Sequence, residues 1–532
     1  MYKKSLDTLT QFDVSRPIFF DTETIGLYGR TRLVQLRQDN IAYEYDCFYV
    51  NIEDIKSYLK NSHLIAHNIH YDLSCTDFRR WLPRKIDDTM LVARMLNPEL
   101  DSYSLGSLVK HFGFGNKGEE GASDWGQYNL TSEQLEYATL DTLYVQKLYE
   151  KYKGSKIPEA YRLDIRSIEW ALVYQNKGMV TDKQQMRKYK REMQKIISNS
   201  PLPKELNVNS SKQVTEFLGI DSSSKDVMLK SNDSRCKEIL EQRHALKILS
   251  YIESLEPYNF VYSYTCPGAA KTGRFACKGG DTIENENYFN LQQIPREFKA
   301  IFGVKEGAYY VTADYPALEI WVAGAMIGDR FMVSVLETGE DLHYAAAEKM
   351  FGKPRSEISK LERTAAKKCN FTLLYGAGFT KLGDGFIMEG VPELAPKAKS
   401  IRELWLKTYP DIAAHIQNNY DYFGSHSYRI VHTAQGRPMK AKTPMEALNF
   451  TIQGTGAECT KLALLLLKEK GIMPVCTVHD SIALIASNET EAKEYGEILK
   501  WAMDEAYVRI IKNCKANHLK IGVTVNIDRS YS

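Results

Sequence analysis

Four residues spaced four apart constrain this chain more than any other feature: Arg363, Lys367, Phe371 and Tyr375. At about 100° per residue, each step of four drifts only about 40° round a helix, so the four side chains share one face over roughly 18 Å. Gly376 and Gly378 follow, and glycines so placed predict the end of the helix. Two cations, an aromatic ring and a phenol along one ridge can grip a triphosphate at one end and a flat base at the other. The plainer possibility leaves both cations in water and both rings in a core. Any one of these residues fits that possibility, but all four with the closing Tyr-Gly favour the ridge.

Acidic residues with regular spacing stand in both halves of the chain. Residues 17–20 read as an apolar strand that turns acidic, and strand period two puts Asp21 and Glu23 on the same side. Residues 32–36 and 41–45 continue as strands of the same sheet. With a helix starting near Asn68, that residue and Asp72 lie one turn apart, and Tyr137 and Asp141 repeat the spacing in a helical pattern that runs to Tyr152. Four carboxylates so gathered can hold two hard divalent cations, which clamp the attacking and leaving oxygens of a phosphodiester. Further on, a strand ends at Asp314 and passes into a helix carrying Glu319. Two apolar strands meet at a polar tip, His479-Asp480-Ser481, as a hairpin. His63, His67 and His70 have a spacing that suggests zinc, but His63 precedes a strand, so no shared helix face and no zinc site is expected.

At 532 residues the chain predicts three or four domains or subdomains. A formal net charge of +2 does not announce a nucleic-acid binder, although clustered carboxylates can cancel a basic channel elsewhere. Nine cysteines without a CxxC pair suit reduced thiols. With no signal-like N-terminus and no apolar run long enough to cross a bilayer, a soluble protein of the cytoplasm is expected.

Taken in order, these segments resemble the motifs of the family A DNA polymerases, from Asp21 to Asp528. The R-x3-K-x3-F-x3-Y-G ridge resembles motif B, the fingers helix that receives the incoming nucleotide. Asp314-Tyr-x3-Glu319 resembles motif A and His479-Asp480-Ser481 motif C. The D-x-E, N-x3-D and Y-x3-D segments resemble the three motifs of DEDD 3′–5′ exonucleases. The resemblance implies an α/β multidomain fold: an RNase H-like exonuclease domain over 1–155, then a right-hand polymerase domain over 156–532. Within the latter it implies a thumb at about 156–265, a palm at about 266–335 and 430–532, and fingers at about 336–429.

The same resemblance implies the roles. Asp21, Glu23, Asp72 and Asp141 bind metal in the exonuclease, and Tyr137 orients the attacking water. Asp314 and Asp480 bind two metals in the polymerase, one lowering the pKa of the primer 3′-hydroxyl and the other neutralising the pyrophosphate. Arg363, Lys367, Phe371, Tyr375, His343 and Glu319 bind the dNTP, with Glu319 closing the space of a ribose 2′-hydroxyl. Phe371, in place of a tyrosine, implies discrimination against dideoxynucleotides. Arg274, Asn449, Gln453, His479, Lys212 and Arg437 contact DNA. Magnesium is the expected ion, two per active site, with manganese as a substitute. Primer-template DNA and dNTPs are the expected partners of a monomer, and helicase, single-strand binding protein and processivity factor are unassigned. With no 5′-nuclease segment preceding it, the chain looks like a phage replicase in a host cytoplasm.

Departures from the family pattern are Trp321, Met445, Ser481 and a longer segment over 275–289. Trp321, Met445 and Ser481 prompt a rival reading, a 3′–5′ exonuclease whose polymerase half only holds DNA. A single-subunit RNA polymerase and a non-catalytic DNA-binding scaffold also match parts of the pattern. Glu319 and the fused nuclease argue against the RNA polymerase, and the spaced acids with the ridge argue against the scaffold.

Overall fold

A computed structural model of the protein describes residues 1–27, 29–77, 82–118, 120–174, 177–231, 233–278 and 288–531. Six strands make the N-terminal sheet: β1 (Tyr2–Lys3), β2 (Pro17–Thr24), β3 (Thr31–Gln38), β4 (Ile41–Asp46), β5 (His63–Ala66) and β6 (Lys85–Asp88), in the order β1-β4-β3-β2-β5-β6. β2 lies inside it, antiparallel to β3 and parallel to β5. Helices Ile69–Cys75 and Ser132–Tyr152 both pack on β2, and Ile18, Phe19 and Phe20 are buried. A strand covered in this way reads as an unbroken apolar run, as 17–20 does. The register with β3 shifts between Glu23 and Thr24, so the ladder is disturbed where the acidic side chains stand.

Helix Glu159–Tyr174 belongs to both halves. Ala160, Tyr161, Ile168 and Leu172 join the N-terminal core, while Leu163, Trp170, Ala171 and Tyr174 join the C-terminal one. On the same helix, Asp164 is fully buried and takes both terminal nitrogens of Arg437, at 2.6 and 2.8 Å, and Lys461 Nζ at 2.6 Å. Two apolar faces and a buried ionic knot make this helix a rigid junction.

The C-terminal half is built on an antiparallel sheet of Cys476–Val478, Ser481–Ala486, Tyr309–Asp314 and Thr524–Asp528, in that order. Helices Pro444–Glu469 and Glu489–Ile510 pack on each other, and the latter on the sheet. A helical lobe stands beside the sheet and includes Leu342–Phe351, Lys360–Leu373, Phe379–Met388, Ala398–Thr408 and Pro410–Phe423. Buried Ala345, Ala346, Ala365 and Ala366 let the first two of these approach closely. Helices Lys183–Ser198 and Ser234–Leu255 form an arm whose base shares a core with the sheet, with a second small core at its tip from Leu202, Val208, Val214, Leu218, Met228 and Ile239.

Several local readings are corrected. Residues 221–234, polar in sequence, contain the helix Lys225–Lys230, because Ser224 caps it and Met228 is buried at the arm's tip. Asn68 does not share a helix face with Asp72. It precedes the helix with φ 71°, while the Asp88 carboxylate accepts from the backbone N–H groups of Asn68 and Ile69. The ridge helix ends at Leu373, so Tyr375 sits on the turn that Gly376 closes with φ 76°. Of the longer segment 275–289, residues 279–287 lie outside the described residues. Among the described residues no helix is long and apolar enough to cross a membrane.

Candidate functional site

The first site opens at the end of β2. Asp21, Glu23 and Asp141 each offer a carboxylate oxygen within 4.8 Å of the others. Asp72 and Tyr137 line the same cleft, of about 480 Å³. Thr22 Oγ1 donates to Asp72 at 2.8 Å, and Gln35 Nε2 donates to Glu23 at 3.4 Å. Tyr137 is fixed by the loop above it, since a Cβ on Gly121 would stand 2.6 Å from the Tyr137 hydroxyl. Burial, and then the neighbouring carboxylates, hold Asp21 and Glu23 well above the usual range. Burial pushes Asp72 up to about 8. Crowded oxygen donors of like charge suit a hard divalent cation.

No motif or spacing marks Lys117, yet it belongs to this site. Its Nζ reaches Asp141 Oδ2 at 2.7 Å and lies 4.7 Å from the centre of the Tyr137 ring. Burial opposes that charge, but Asp141 and Asp21 hold the ammonium above its ordinary pKa. Lys117 comes from an irregular loop without periodicity, so only the fold brings it in. The three histidines do not converge: His63 pairs with Asp87, His67 bonds Thr89 and the Tyr103 carbonyl, and His70 packs on Tyr264.

The raised carboxyl pKa values carry a sign. Each folded-state pKa lies above its unfolded value, so the folded protein binds protons more tightly, and its metal-free stability falls as pH rises through the carboxyl range toward about 8. Melting in chelator is therefore expected to drop between pH 5 and 9. Magnesium should restore most stability at the alkaline end, and Asp72→Asn should flatten the slope.

The second site lies where the C-terminal sheet meets the ridge helix. Asp314 pairs with Ser481, and His479 and Asp480 form the hairpin turn, His479 at φ 56°. This places Asp480 beside Asp314, and burial, then the Asp314 charge, pushes the Asp480 carboxyl up to about 6. Glu319, in the first turn of the next helix, accepts from Arg274 Nη2 at 3.0 Å and from the Tyr375 hydroxyl. The end of the ridge is thereby tied to Glu319, whose charge, with that of Arg274, reaches Asp480. Arg274, Glu319, His479 and Asp480 line one pocket.

Lys367 is exposed and Phe371 half-buried, its ring 5.7 Å from that of His343. Arg363 is held by Asp341 Oδ2 at 2.5 Å, a partner that sequence reasoning missed. Asn449 and Gln453 stand one turn apart on helix Pro444–Glu469, and the buried Asn449 Oδ1 makes no hydrogen bond among the described residues. Gly454 follows because a Cβ there would meet Thr433 Cγ2 at 2.6 Å and the Thr272 carbonyl at 3.2 Å. That close approach seats the turn carrying Arg274. Lys212 is exposed in the first turn of Ser211–Leu218, out on the arm. Trp321 packs edge-on to Tyr507, and so supplies core in place of a cation.

Arg437 is the clear correction. The sequence reading puts it on DNA, but it is 6% exposed and bound through two nitrogens to Asp164. It lies under the Lys271–Arg274 turn, where a Cβ on Gly273 would come within 2.6 Å of its guanidinium. Burial pushes the Asp164 carboxyl up, but Arg437 and Lys461 more than offset this and hold it below the usual range. Arg437→Ala would leave a buried charge short of a partner and should cost about 3–5 kcal/mol of stability. It should lower the melting temperature markedly, whereas a DNA contact would change affinity alone.

A carboxylate nest on a mixed sheet, rigidly joined to a second acidic centre facing a cationic helix, defines a two-site enzyme of phosphodiester chemistry. A sequence model of DNA polymerase family A matches residues 177–531, and one of 3′–5′ exonucleases matches residues 3–153. The chain belongs to DNA polymerase family A and carries a 3′–5′ exonuclease domain. DNA polymerase I of Aquifex aeolicus is 28% identical, with 93% of each chain covered. The DNA polymerase of Bacillus phage SP01 is 27% identical over 56% of this chain and 37% of its own. The thermostable DNA polymerase I of Thermus aquaticus is 28% identical over 52% of this chain, which spans 36% of that longer protein. In fold, the chain is similar to the polymerase domain of Pol1 from M. smegmatis in complex with DNA primer-template and dNTP. That match has a TM-score of 0.75 and 19% identity, covering 96% of this chain and 95% of the other.

Proposed function

We propose that this enzyme is a replicative, template-directed DNA polymerase that corrects its own errors, with metal-assisted chemistry at both sites. The observation that carries the reading is the pocket that Asp480 shares with Glu319 and Arg274, where Glu319 also holds Tyr375 at the end of the ridge. In this reading residues 1–155 are the exonuclease, 156–265 the thumb, 336–429 the fingers, and the remainder the palm.

Asp314 and Asp480 would hold two divalent ions, and Asp21, Glu23, Asp72 and Asp141 two more. Bound there, such ions supply Lewis-acid activation of an attacking oxygen and charge neutralisation of a leaving one. The chain's own residues do the rest. Arg363 and Lys367 bind the triphosphate, and Arg363 exchanges Asp341 for phosphate oxygens. Phe371 and Tyr375 take the base and sugar, and Glu319 fills the place of a 2′-hydroxyl. Arg274, Gln453, Asn449 and His479 hold the primer end, and Lys212 touches duplex phosphate from the arm. In the exonuclease, Tyr137 orients water at the carboxylates.

The sugar filter gives the test. Wild-type enzyme should extend a primer with dNTPs and reject NTPs, and Glu319→Ala should admit ribonucleotides at least about ten-fold better while impairing extension. Equal use of both sugars by the wild type would favour an RNA polymerase.

A further inference from the structure

Behind the ridge runs a hydrogen-bonded chain of three side chains. The Trp405 indole N–H donates to Asn370 Oδ1 at 2.8 Å, and Asn370 Nδ2 lies 3.0 Å from His343 Nδ1. Trp405 and Asn370 are 0% and 1% exposed, so neither has water as a competing partner. His343 stands at the edge of the ridge, beside Phe371 and within the field of Arg363, Lys367 and Asp341.

The chain has only one consistent assignment of protons. An indole nitrogen can donate but never accept, so the amide atom facing Trp405 must be the oxygen. The amide atom facing His343 is then the nitrogen, which only donates. His343 Nδ1 must therefore accept, and an imidazole that accepts at Nδ1 carries its proton on Nε2. Among the described residues, Nε2 makes no hydrogen bond with the protein.

We infer that Trp405 and Asn370 are positioning residues that lock His343 in the Nε2–H tautomer, so that it gives one directed, uncharged hydrogen bond to the triphosphate of the incoming nucleotide. The inference rests on reading the ridge as the nucleotide site. An imidazolium at 343 would set Nδ1–H against the Asn370 N–H. Burial and the two ridge cations oppose it as well, and the group's pKa is pushed down to about 4. Arg363 and Lys367 thus supply the charge at this site, and His343 supplies direction.

The test combines kinetics with a spectroscopic signature on the intact enzyme. Asn370→Leu should raise KM for dNTP about ten-fold, the loss of one hydrogen bond to a charged group, with kcat within about two-fold. His343→Ala should do the same, and the double variant should be no worse than either. Trp405→Phe keeps an aromatic in the core but removes the donor, so it should raise KM in the same direction even if Asn370 variants fold poorly. In [15N]histidine-labelled wild type, with His343 assigned through His343→Gln, long-range 1H–15N correlation at pH 7.5 should give the Nε2–H pattern. Asn370→Asp, an acceptor on both sides, should convert His343 to imidazolium.

An Nδ1–H or imidazolium pattern in the wild type would overturn the inference. So would an Asn370→Leu effect of equal size in the His343→Ala background, because that would mark a purely structural role. If His343→Ala leaves KM unchanged, the ridge reading itself fails and takes the inference with it. If His343→Ala raises KM while Asn370→Leu and Trp405→Phe do not, the ridge reading stands and the positioning chain alone falls.

Discussion

Asp480→Ala is expected to lower primer extension by at least about 10³-fold while leaving 3′ trimming within about two-fold of wild type. The hairpin turn puts Asp480 next to Asp314, and Ser481 follows where the family pattern has glutamate, so in the proposed mechanism two carboxylates would carry the cation-binding task there. Removing one leaves a half-site. Several kcal/mol of transition-state stabilisation pass through such a centre, and each 1.36 kcal/mol is worth about ten-fold in rate. The exonuclease carboxylates lie on another sheet and the helices packed on it, with a core of their own, so the two losses should be independent. Gel-resolved single-turnover extension and trimming of the same labelled primer would check both.

Asp21→Ala is expected to do the converse, abolishing trimming of a single-stranded 3′ end by a similar factor with extension rate unchanged. Asp21 sits at the centre of the nest, and the charges of Asp72, Asp141 and Glu23 all act on it. It is a cleaner target than Asp141, whose removal would also strand the Lys117 ammonium. The phenotype to look for is mismatch accumulation: the variant should extend matched primers normally but keep terminal mismatches. Loss of extension in Asp21→Ala would mean that the two halves are coupled through helix Glu159–Tyr174 more tightly than their separate cores imply.

Regular spacing decided what could be read from the sequence. The ridge at 363, 367, 371 and 375, the acids at 21 and 23, and the 476–486 hairpin all follow from helix or strand period. In the structure the acids and the hairpin stand in those elements, and the ridge helix carries all but Tyr375, which sits on the turn just beyond it. Residues whose roles depend on contacts far apart in sequence were not legible. Lys117 arrives from a loop with no period. Asp341 caps a helix, but it also holds Arg363 from 22 residues away. Arg437 carries the opposite lesson, since a Gly-Arg turn looks like a DNA contact until Asp164, 273 residues earlier, is found beneath it. The short helix Lys225–Lys230 was hidden because its stability comes from one cap and one buried methionine. Trp321 shows that a departure from a pattern can be a change of packing partner.

The most direct test of a polymerase that edits its own product is one reaction. Wild-type enzyme, magnesium and all four dNTPs would be mixed with a template annealed to either a matched or a 3′-mismatched primer, and the products followed in time. The matched primer should be extended at once, and the mismatched one should first shorten and then extend to full length with the mismatch gone. Shortening of both primers with no extension of either would contradict a self-editing polymerase and would leave a nuclease that merely holds DNA.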